Sequence, residues 1–449
     1  MIPTPPNRPP GVPPVMGGLA DLGRSGPSCA RCFTLSLLRV PIDPRESTAP
    51  APSGISPGMV RLLSVAAGVG VSNIYFNQPL LISIANTFTT GTGETSAIIT
   101  ATSIGYALGL LFVVPLGDVL SRRRLVVSLL ALVAAGQAMA AFAPGFWTLV
   151  ALSTLVSSCA VVAPLLVSHA ASLANPQERG RVTGSVISGV LMGLLLARVG
   201  GGFLADLLGG WRPVYVVAAI MMVVLAIILS RVIPAQTVIS PKLSYGTLLR
   251  SVGSILAEEP VVRRRCLYGF FSFASFSAFW TSAAFLLAGS PYHYSESVIG
   301  LFGLVGVVGA YSARVSGLLV DRGKERLATA LLFGVILAGW GLMGIDSGRL
   351  LLPLVIGVAV LDLGVQGVQV TNLSVIYRCR PEARNRITTA YTATYFVGGV
   401  LGSVASGVAF SRGSWLAVCA VGALLALAPL VLWVREVAAG RDAAGMRPR

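Results

Sequence analysis

Long apolar runs alternate with short polar connections from residue 60 to residue 434. Each run is about 20 residues long, the length that a helix needs to cross a hydrocarbon core of roughly 30 Å. Because lipid offers the backbone no hydrogen-bond partners, each run is predicted to be a helix that satisfies its own hydrogen bonds. Twelve spans are predicted, at residues 60–86, 97–117, 125–143, 147–169, 183–206, 213–233, 266–289, 297–318, 327–345, 350–375, 387–410 and 415–434.

The polar stretches outside these runs divide the chain into regions. Residues 1–57 are rich in Pro, Ser and Gly, which predicts a disordered cytoplasmic tail, and Met59 just before the first span is an alternative start. The connection at 234–265 is longer than the others and is predicted to be a cytoplasmic linker. The predicted regions are therefore the tail 1–57, an N-terminal six-helix bundle 58–233, the linker 234–265, a C-terminal six-helix bundle 266–436 and a cytoplasmic tail 437–449.

Composition agrees with an all-α membrane protein. Hydrophobic residues make up 54% of the chain, charged residues 11%, and the mean hydropathy is +0.80, which excludes an ordinary soluble domain. The net charge of +16 would suit a nucleic-acid partner, but the positions of the cations favour topology instead. With the N-terminus inside, the inner connections and the C-terminal tail hold 22 cations and the outer connections hold three, so both termini are predicted to be cytoplasmic.

Two charged motifs recur at nearly the same offset, which indicates a duplicated chain. Asp118 lies in a short basic connection after the second span, and Asp321 lies in a similar one 203 positions later. Pro176-Gln-Glu-Arg-Gly-Arg precedes the fifth span, and Pro381-Glu-Ala-Arg-Asn-Arg precedes the eleventh at an offset of 205. The alternative is that basic loops merely look alike.

At these residues the chain resembles the major facilitator superfamily. The hallmark of that family is Gly-x-x-x-Asp-Arg-x-Gly-Arg-Arg, which Gly317, Asp321 and Arg322 match in the second copy. The first copy departs from it, with Val119 after the acid, and keeps the residues Asp118, Arg122 and Arg123. Three further segments are similar to a branch of bacterial drug and metabolite efflux carriers, namely Asn73-Ile-Tyr-Phe-Asn-Gln-Pro-Leu80, Glu178-Arg-Gly-Arg181 and Gly303-Leu-Val-Gly306.

The resemblance implies a fold and a function together. The expected fold has two pseudo-symmetric six-helix bundles that alternate access to a central cavity. The branch implies proton-coupled efflux of small organic molecules from a bacterium across its cytoplasmic membrane, by a monomer without a cofactor. A uniporter, an importer or a transporter-like sensor without proton coupling is the alternative.

The charged loops have a predicted role in gating. Asp118 follows an inward-running helix, whose negative end is an unfavourable neighbour for an acid, so the acid needs an external positive partner. The resemblance implies Arg386 as that partner, and by symmetry Arg181 for Asp321. Such contacts exist only where the cytoplasmic sides of the bundles meet, so they would favour the outward-open state. The alternative is that these charges only set topology.

Two ionisable residues lie deep within predicted spans, where charge is costly and usually functional. Asp362 is about twelve residues into the tenth span, near the midplane at helical rise. It is a candidate for proton coupling or for binding a cationic substrate. Arg198 in the fifth span is a candidate for binding an anionic group. The alternative is a structural ion pair between the two.

Polar and aromatic residues in other spans are candidate substrate contacts. Gln366 and Gln369 share one helical face with Asp362. Helices 1, 4, 7 and 10 line the cavity in the superfamily, which adds to the candidates Asn73, Tyr75, Asn77 and Gln78 of the first span and Trp280 of the seventh. For each of these residues ordinary helix packing is the alternative role.

Enzymatic chemistry finds no support in the sequence. The two histidines, His169 and His293, belong to no His–acid motif, and no nucleotide loop or metal cluster accompanies them, so no metal site is predicted. A polytopic membrane enzyme is therefore a distant alternative.

Glycines in the fifth and eleventh spans predict close helix packing. The antiporter signature of the fifth helix is incomplete, because Leu194 and not Pro follows Gly193.

Overall fold

The computed structural model describes residues 55–175, 177–234, 245–379 and 384–438, which are almost entirely helical and contain no β-strand. Most of both predicted tails lies outside these ranges. In the first half the helices are α1 Pro57–Ser72, α2 Leu81–Phe88, α3 Thr92–Thr95, α4 Ala97–Leu108, α5 Arg122–Ala141, α6 Phe146–Cys159, α7 Val162–Leu173, α8 Arg179–Leu208 and α9 Trp211–Val232. In the second half they are α10 Tyr245–Glu258, α11 Pro260–Ala288, α12 Glu296–Leu301, α13 Val307–Asp321, α14 Glu325–Gly344, α15 Leu351–Cys379, α16 Arg384–Arg412 and α17 Trp415–Ala438.

The predicted membrane spans are confirmed. Within the described residues, 10 helical segments of 20 to 30 residues have the length and hydropathy to cross a bilayer. Two shorter apolar helices, Pro57–Ser72 and Glu296–Gly309, occupy the predicted first and eighth spans. The twelve spans of the prediction therefore all correspond to helical segments of the structure.

The first predicted span, 60–86, is not one continuous helix. Ser56 caps α1 by accepting a hydrogen bond from the amide of Met59 at 3.3 Å, and Pro57 occupies the first turn. The helix stops at Ser72, and turns lead from Asn73 to Leu80 before α2 begins. Pro79 lies in this break, where it has no backbone N–H to offer a helix. The break therefore presents several polar side chains in directions that a continuous helix would not.

The interval 234–265 contains more helix than a polar linker suggests. Helix α10 lies within it, and the hydroxyl of Tyr245 donates to the carbonyl oxygen of Phe112 at 2.6 Å. Helix α11 begins at Pro260, so the run Arg263–Arg265 lies in its first turns. The predicted start of this span at 266 would place these arginines before the helix. Hydropathy detects only the apolar part of a helix, and charged first turns that project from the bilayer escape it.

Close helix packing repeats in the two halves, as the glycines of the fifth and eleventh spans predict. A Cβ atom at Gly193 of α8 would overlap the backbone of Gly68 in α1. A Cβ atom at Gly398 of α16 would likewise overlap the carbonyl of Phe270 in α11. The first and fifth spans thus pack backbone to backbone, and so do the seventh and eleventh, as expected for small residues at membrane helix interfaces.

The two halves meet at the end of the molecule that holds Arg212, Arg349 and Arg412, which we call the arginine-poor end. There α8 packs on α12, and α3 and α4 pack on α16. The hydroxyls of Thr100 and Ser403 are 2.8 Å apart in a hydrogen bond that joins α4 to α16. The opposite end, which holds Arg122–Arg124 and the start of α8, is called the arginine-rich end.

Candidate functional site

Arg198 lies in an aromatic cage at the boundary between the two halves. Its side chain is only 2% exposed, and its Nε donates to Oε1 of Gln78 at 2.6 Å. Its Cζ atom is 3.9 Å from the ring centroid of Trp280, 4.9 Å from that of Tyr75 and 6.0 Å from that of Phe276. Cation–π attraction to these rings partly compensates a guanidinium removed from water. The first half supplies Arg198, Gln78 and Tyr75, and the second half supplies the other two rings.

Asp362 is the second buried charge of the site. It lies in α15, is 4% exposed, and its Oδ1 accepts no hydrogen bond. Its charge is near enough to Arg198 for an electrostatic interaction, yet these two described side chains form no ion pair. The structural ion pair considered as an alternative is therefore not made in this conformation.

A short 3₁₀-helix, Phe302–Gly306, packs against both Arg198 and Asp362. A Cβ atom at Gly303 would lie 3.0 Å from the Cβ of Arg198, and one at Gly306 would lie 2.6 Å from Oδ2 of Asp362. The segment Gly303-Leu-Val-Gly306 of the sequence resemblance thus touches the aliphatic stem of Arg198 and the carboxylate of Asp362. Because a 3₁₀-helix has three residues per turn, glycines three apart fall on one face of it.

The break in the first span sorts its four candidate residues into two groups. Tyr75 and Gln78 reach Arg198, as described above. Asn73 instead accepts a hydrogen bond from Gln137 of α5 at 3.0 Å and donates to the carbonyl of Gly70 at 3.1 Å. Asn77 donates to Thr102 of α4 at 3.3 Å. The structure therefore places the two asparagines in the packing of the first half, away from the cage.

The polar face of the tenth span extends from Asp362 toward the arginine-rich end. Helix α15 is continuous from Leu351 to Cys379, so Gln366 and Gln369 follow Asp362 along one face. A Cβ atom at Gly309 would lie 2.8 Å from Cγ of Gln366, which repeats one turn later the contact between Gly306 and Asp362.

An aromatic wall continues from the cage along α11. The rings of Phe276 and Phe273 stack with their centroids 5.5 Å apart, and the ring of Phe273 stacks on that of Tyr395 in α16 with a centroid distance of 4.1 Å. All of these rings are buried. The sequence marks Trp280 of the seventh span as a candidate but gives no sign of Tyr395, because nothing in the eleventh span indicates which face of that helix turns toward α11.

The gating candidates are only partly described by the structure. Arg181 is paired with Glu178 of its own segment at 2.9 Å, and its side chain is 74% exposed. Arg122 donates to Ser172 of α7 at 2.8 Å and thus binds within its own half. Gly317, Arg322, Arg123 and Arg386 lie in described segments, whereas the side chains of Asp118 and Asp321 are not among those that the structure describes.

A contact that sequence reasoning missed closes the arginine-poor end. Oδ2 of Asp206, near the end of α8, accepts a hydrogen bond from the backbone amide of Ser297 at 3.0 Å. Ser297 lies in the first turn of α12, where free amides favour a negative charge. The sequence shows an acid at the end of the fifth span and the start of a helix at the eighth. The contact between them can be predicted only once the two helices are known to be neighbours.

The fold and the buried charges together define a polytopic helical transporter with a site between two bundles. Comparison with known proteins agrees. The family model of the Major Facilitator Superfamily matches residues 62–379, and the chain belongs to that superfamily. It is a family of transporters and not of enzymes.

A relative supports the same conclusion, and solved structures support the fold. The uncharacterized transporter YgaY of Escherichia coli O157:H7 is 45% identical over 382 residues, which cover 85% of this chain and 96% of the relative. A crystal structure of a bacterial homolog of the human lysosomal transporter Spinster, inward-facing and unoccupied, superposes with a TM-score of 0.66 at 15% identity, covering 86% of this chain and 96% of that one. A mutant form of the nucleoside transporter NupG gives a TM-score of 0.67 at 12% identity, covering 84% of this chain and 99% of that one. At such low identities the two structures show the fold alone.

Proposed function

We propose that the chain is a proton-coupled exporter of small organic molecules that works by alternating access in a bacterial cytoplasmic membrane. Asp362 carries the proton, and the cage around Arg198 contacts the substrate. The observation that carries the proposal is the buried carboxylate of Asp362, which has an unpartnered Oδ1 and no ion pair at the boundary of the two halves. A carboxylate held there without a partner is costly when charged, so it favours uptake of a proton.

The distribution of cations supports an orientation for this exporter. The arginine-rich end, which contains the run Arg122–Arg124, is cytoplasmic under the positive-inside rule, and both termini lie on that side. The contacts between Asp206 and Ser297 and between Thr100 and Ser403 then lie on the outer side. A conformation closed by these contacts faces inward, ready to accept a substrate from the cytoplasm.

The paired loop motifs act as a cytoplasmic latch in the opposite conformation. Asp321 binds the start of α8 at Arg181, and Asp118 binds the start of α16 at Arg386. The exposed position of Arg181, with Glu178 as its partner, is consistent with an unlatched state. Arg181→Ala is then expected to disfavour the outward-open state, while Arg179→Ala, an exposed cation two residues earlier, serves as the control.

Transport in inside-out membrane vesicles tests the coupling. A panel of organic anions, cations and neutral compounds is offered under an imposed pH gradient, and uptake is read by mass spectrometry. Asp362→Asn is expected to abolish pH-driven uptake, Asp362→Glu to retain part of it, and the exposed acid variant Asp346→Asn to match the wild type. Undiminished pH-driven uptake by Asp362→Asn would refute coupling through this residue. Uptake that never responds to the gradient would favour a uniporter instead.

A further inference from the structure

Two buried donors in the Arg198 cage have no acceptor. Nη2 of Arg198 and Nε1 of Trp280 are both inaccessible to solvent, and neither donates a hydrogen bond within the structure. The residues themselves are 2% and 4% exposed. A buried donor without a partner loses its hydration without compensation, so a site with two of them requires an explanation.

One carboxylate can bind two donors that belong to neighbouring groups. The guanidinium carbon lies 3.9 Å from the centroid of the Trp280 ring, so Nη2 and Nε1 belong to groups in direct contact. The two oxygens of a carboxylate can accept one hydrogen bond from each of two neighbouring donors, and a charge-assisted bond from an arginine is about twice as strong as a neutral one. Gln78 does not fill this role, because its Oε1 accepts from Nε of Arg198 while Nη2 and the indole N–H both remain without an acceptor.

The surroundings of the two donors are mainly aromatic, apart from Gln78 on Nε of Arg198 and the nearby charge of Asp362. Tyr75 and Phe276 flank the guanidinium, and the stack of Phe276, Phe273 and Tyr395 leads away from it. A planar hydrocarbon ring that carries a carboxylate would place its charge at Arg198 and its ring among these side chains, in the offset or tilted geometries that aromatic pairs prefer.

We infer that the cage binds an organic anion, specifically an aromatic carboxylate, with the carboxylate accepting from Arg198 and from Trp280. This inference rests on the proposed function, since it names the substrate class of the same transporter. It assigns Gln78 a positioning role, because the bond to Nε fixes the guanidinium and leaves Nη2 directed elsewhere.

A binding experiment on the full purified chain in detergent separates this inference from the question of coupling, because no pH gradient is involved. Benzoate is the probe, benzamide is its neutral counterpart, and acetate carries the charge without the ring. Affinity is measured by isothermal titration calorimetry and by the rise in melting temperature with ligand concentration. Benzoate is expected to bind at least tenfold more tightly than either benzamide or acetate.

Two variants test the named donors, each with a matched control. Arg198→Lys keeps the charge but not the planar fork, and is expected to weaken benzoate binding about tenfold. Arg212→Gln is its control, because Arg212 also lies over aromatic rings but donates to the carbonyls of Ala141 and Ala143. Trp280→Phe keeps a ring but removes the N–H, and is expected to weaken binding several-fold. Trp340→Phe is its control, because the N–H of Trp340 is already bound to Ser275 at 2.7 Å.

The outcomes are distinct. Equal affinity for benzoate and benzamide in the wild-type protein would overturn the inference without any variant having to fold. Equal benzoate affinity in Trp280→Phe and in the wild type would show that the indole N–H does not bind the carboxylate. Benzoate binding that depends on Arg198, in a protein whose transport ignores a pH gradient, would uphold the anion site and refute the proposed coupling.

Discussion

Asp206 and Ser297 belong to different halves of the molecule, yet the carboxylate of Asp206 accepts a hydrogen bond of 3.0 Å from the backbone amide of Ser297. The bond ties the end of the fifth span to the start of the eighth at the arginine-poor end. Four residues closer to the centre, Gly202 packs so tightly on Glu296 that a Cβ atom would overlap its carbonyl. The two halves are therefore joined here by both a polar contact and backbone packing.

Removing the carboxylate of Asp206 is expected to loosen this end. In Asp206→Ala the first amides of α12 lose a charged acceptor. A solvent-accessible hydrogen bond of this kind contributes about 1 kcal/mol to stability. Hydrogen exchange of residues 296–301 should accelerate several-fold, as read by mass spectrometry. Glu94→Ala, an exposed acid at the same end, should leave that exchange unchanged. Unaltered exchange in Asp206→Ala would mean that packing alone holds the contact.

A side chain at position 306 is expected to disturb Asp362. In Gly306→Ala the added methyl group would lie 2.6 Å from Oδ2, so either the 3₁₀ segment or the carboxylate must shift. Overpacking of this kind costs about 1–3 kcal/mol. We expect pH-driven transport to fall by about tenfold or more, in the vesicle assay described above. Gly341→Ala is the control, since nothing lies within 4 Å of a Cβ atom there. Equal transport by the two variants would contradict the role given to this contact.

Loss of the Gln78 amide is expected to destabilise the cage. Gln78→Leu preserves bulk but leaves Nε of Arg198 without its acceptor, and a hydrogen bond to a charged group contributes about 1.5–3 kcal/mol. The melting temperature in detergent should fall by several degrees. Gln369→Leu, a half-buried glutamine farther along α15, should shift it far less. A melting temperature that does not distinguish the two variants would show that Arg198 finds another acceptor.

The backbone contact between α1 and α8 should tolerate no side chain. Gly193→Ala would push a methyl group into the backbone of Gly68, and rigid backbone cannot move aside as a flexible side chain can. We expect the melting temperature to drop markedly and the yield of monodisperse protein to fall. Gly184→Ala, in the same helix with open space around it, should behave as wild type. If Gly193→Ala is as stable as Gly184→Ala, the packing of these spans is looser than described.

Much of the architecture follows from local sequence. The positions of Arg198 and Asp362 within apolar runs are enough to mark both residues as special, because a charge there is costly wherever the helix packs. Close packing at Gly193 could be predicted from the glycine itself, but the first span could not be predicted as the helix that packs there. The separation of Tyr75 and Gln78 from Asn73 and Asn77 could not be predicted, because it depends on how the chain turns between Ser72 and Leu81.

That this chain crosses a membrane as twelve helical spans in two related halves follows from the sequence alone. The reason is that span length, hydropathy and the positions of arginines act locally, one segment at a time. The meeting of Gln78, Trp280 and Arg198 emerges only from the folded arrangement, and so does the packing of the 3₁₀-helix Phe302–Gly306 against both Arg198 and Asp362. Those relationships depend on the rotation and the depth of helices that are far apart in the chain. Side-chain packing across the two halves sets both quantities, and the local sequence pattern does not encode them.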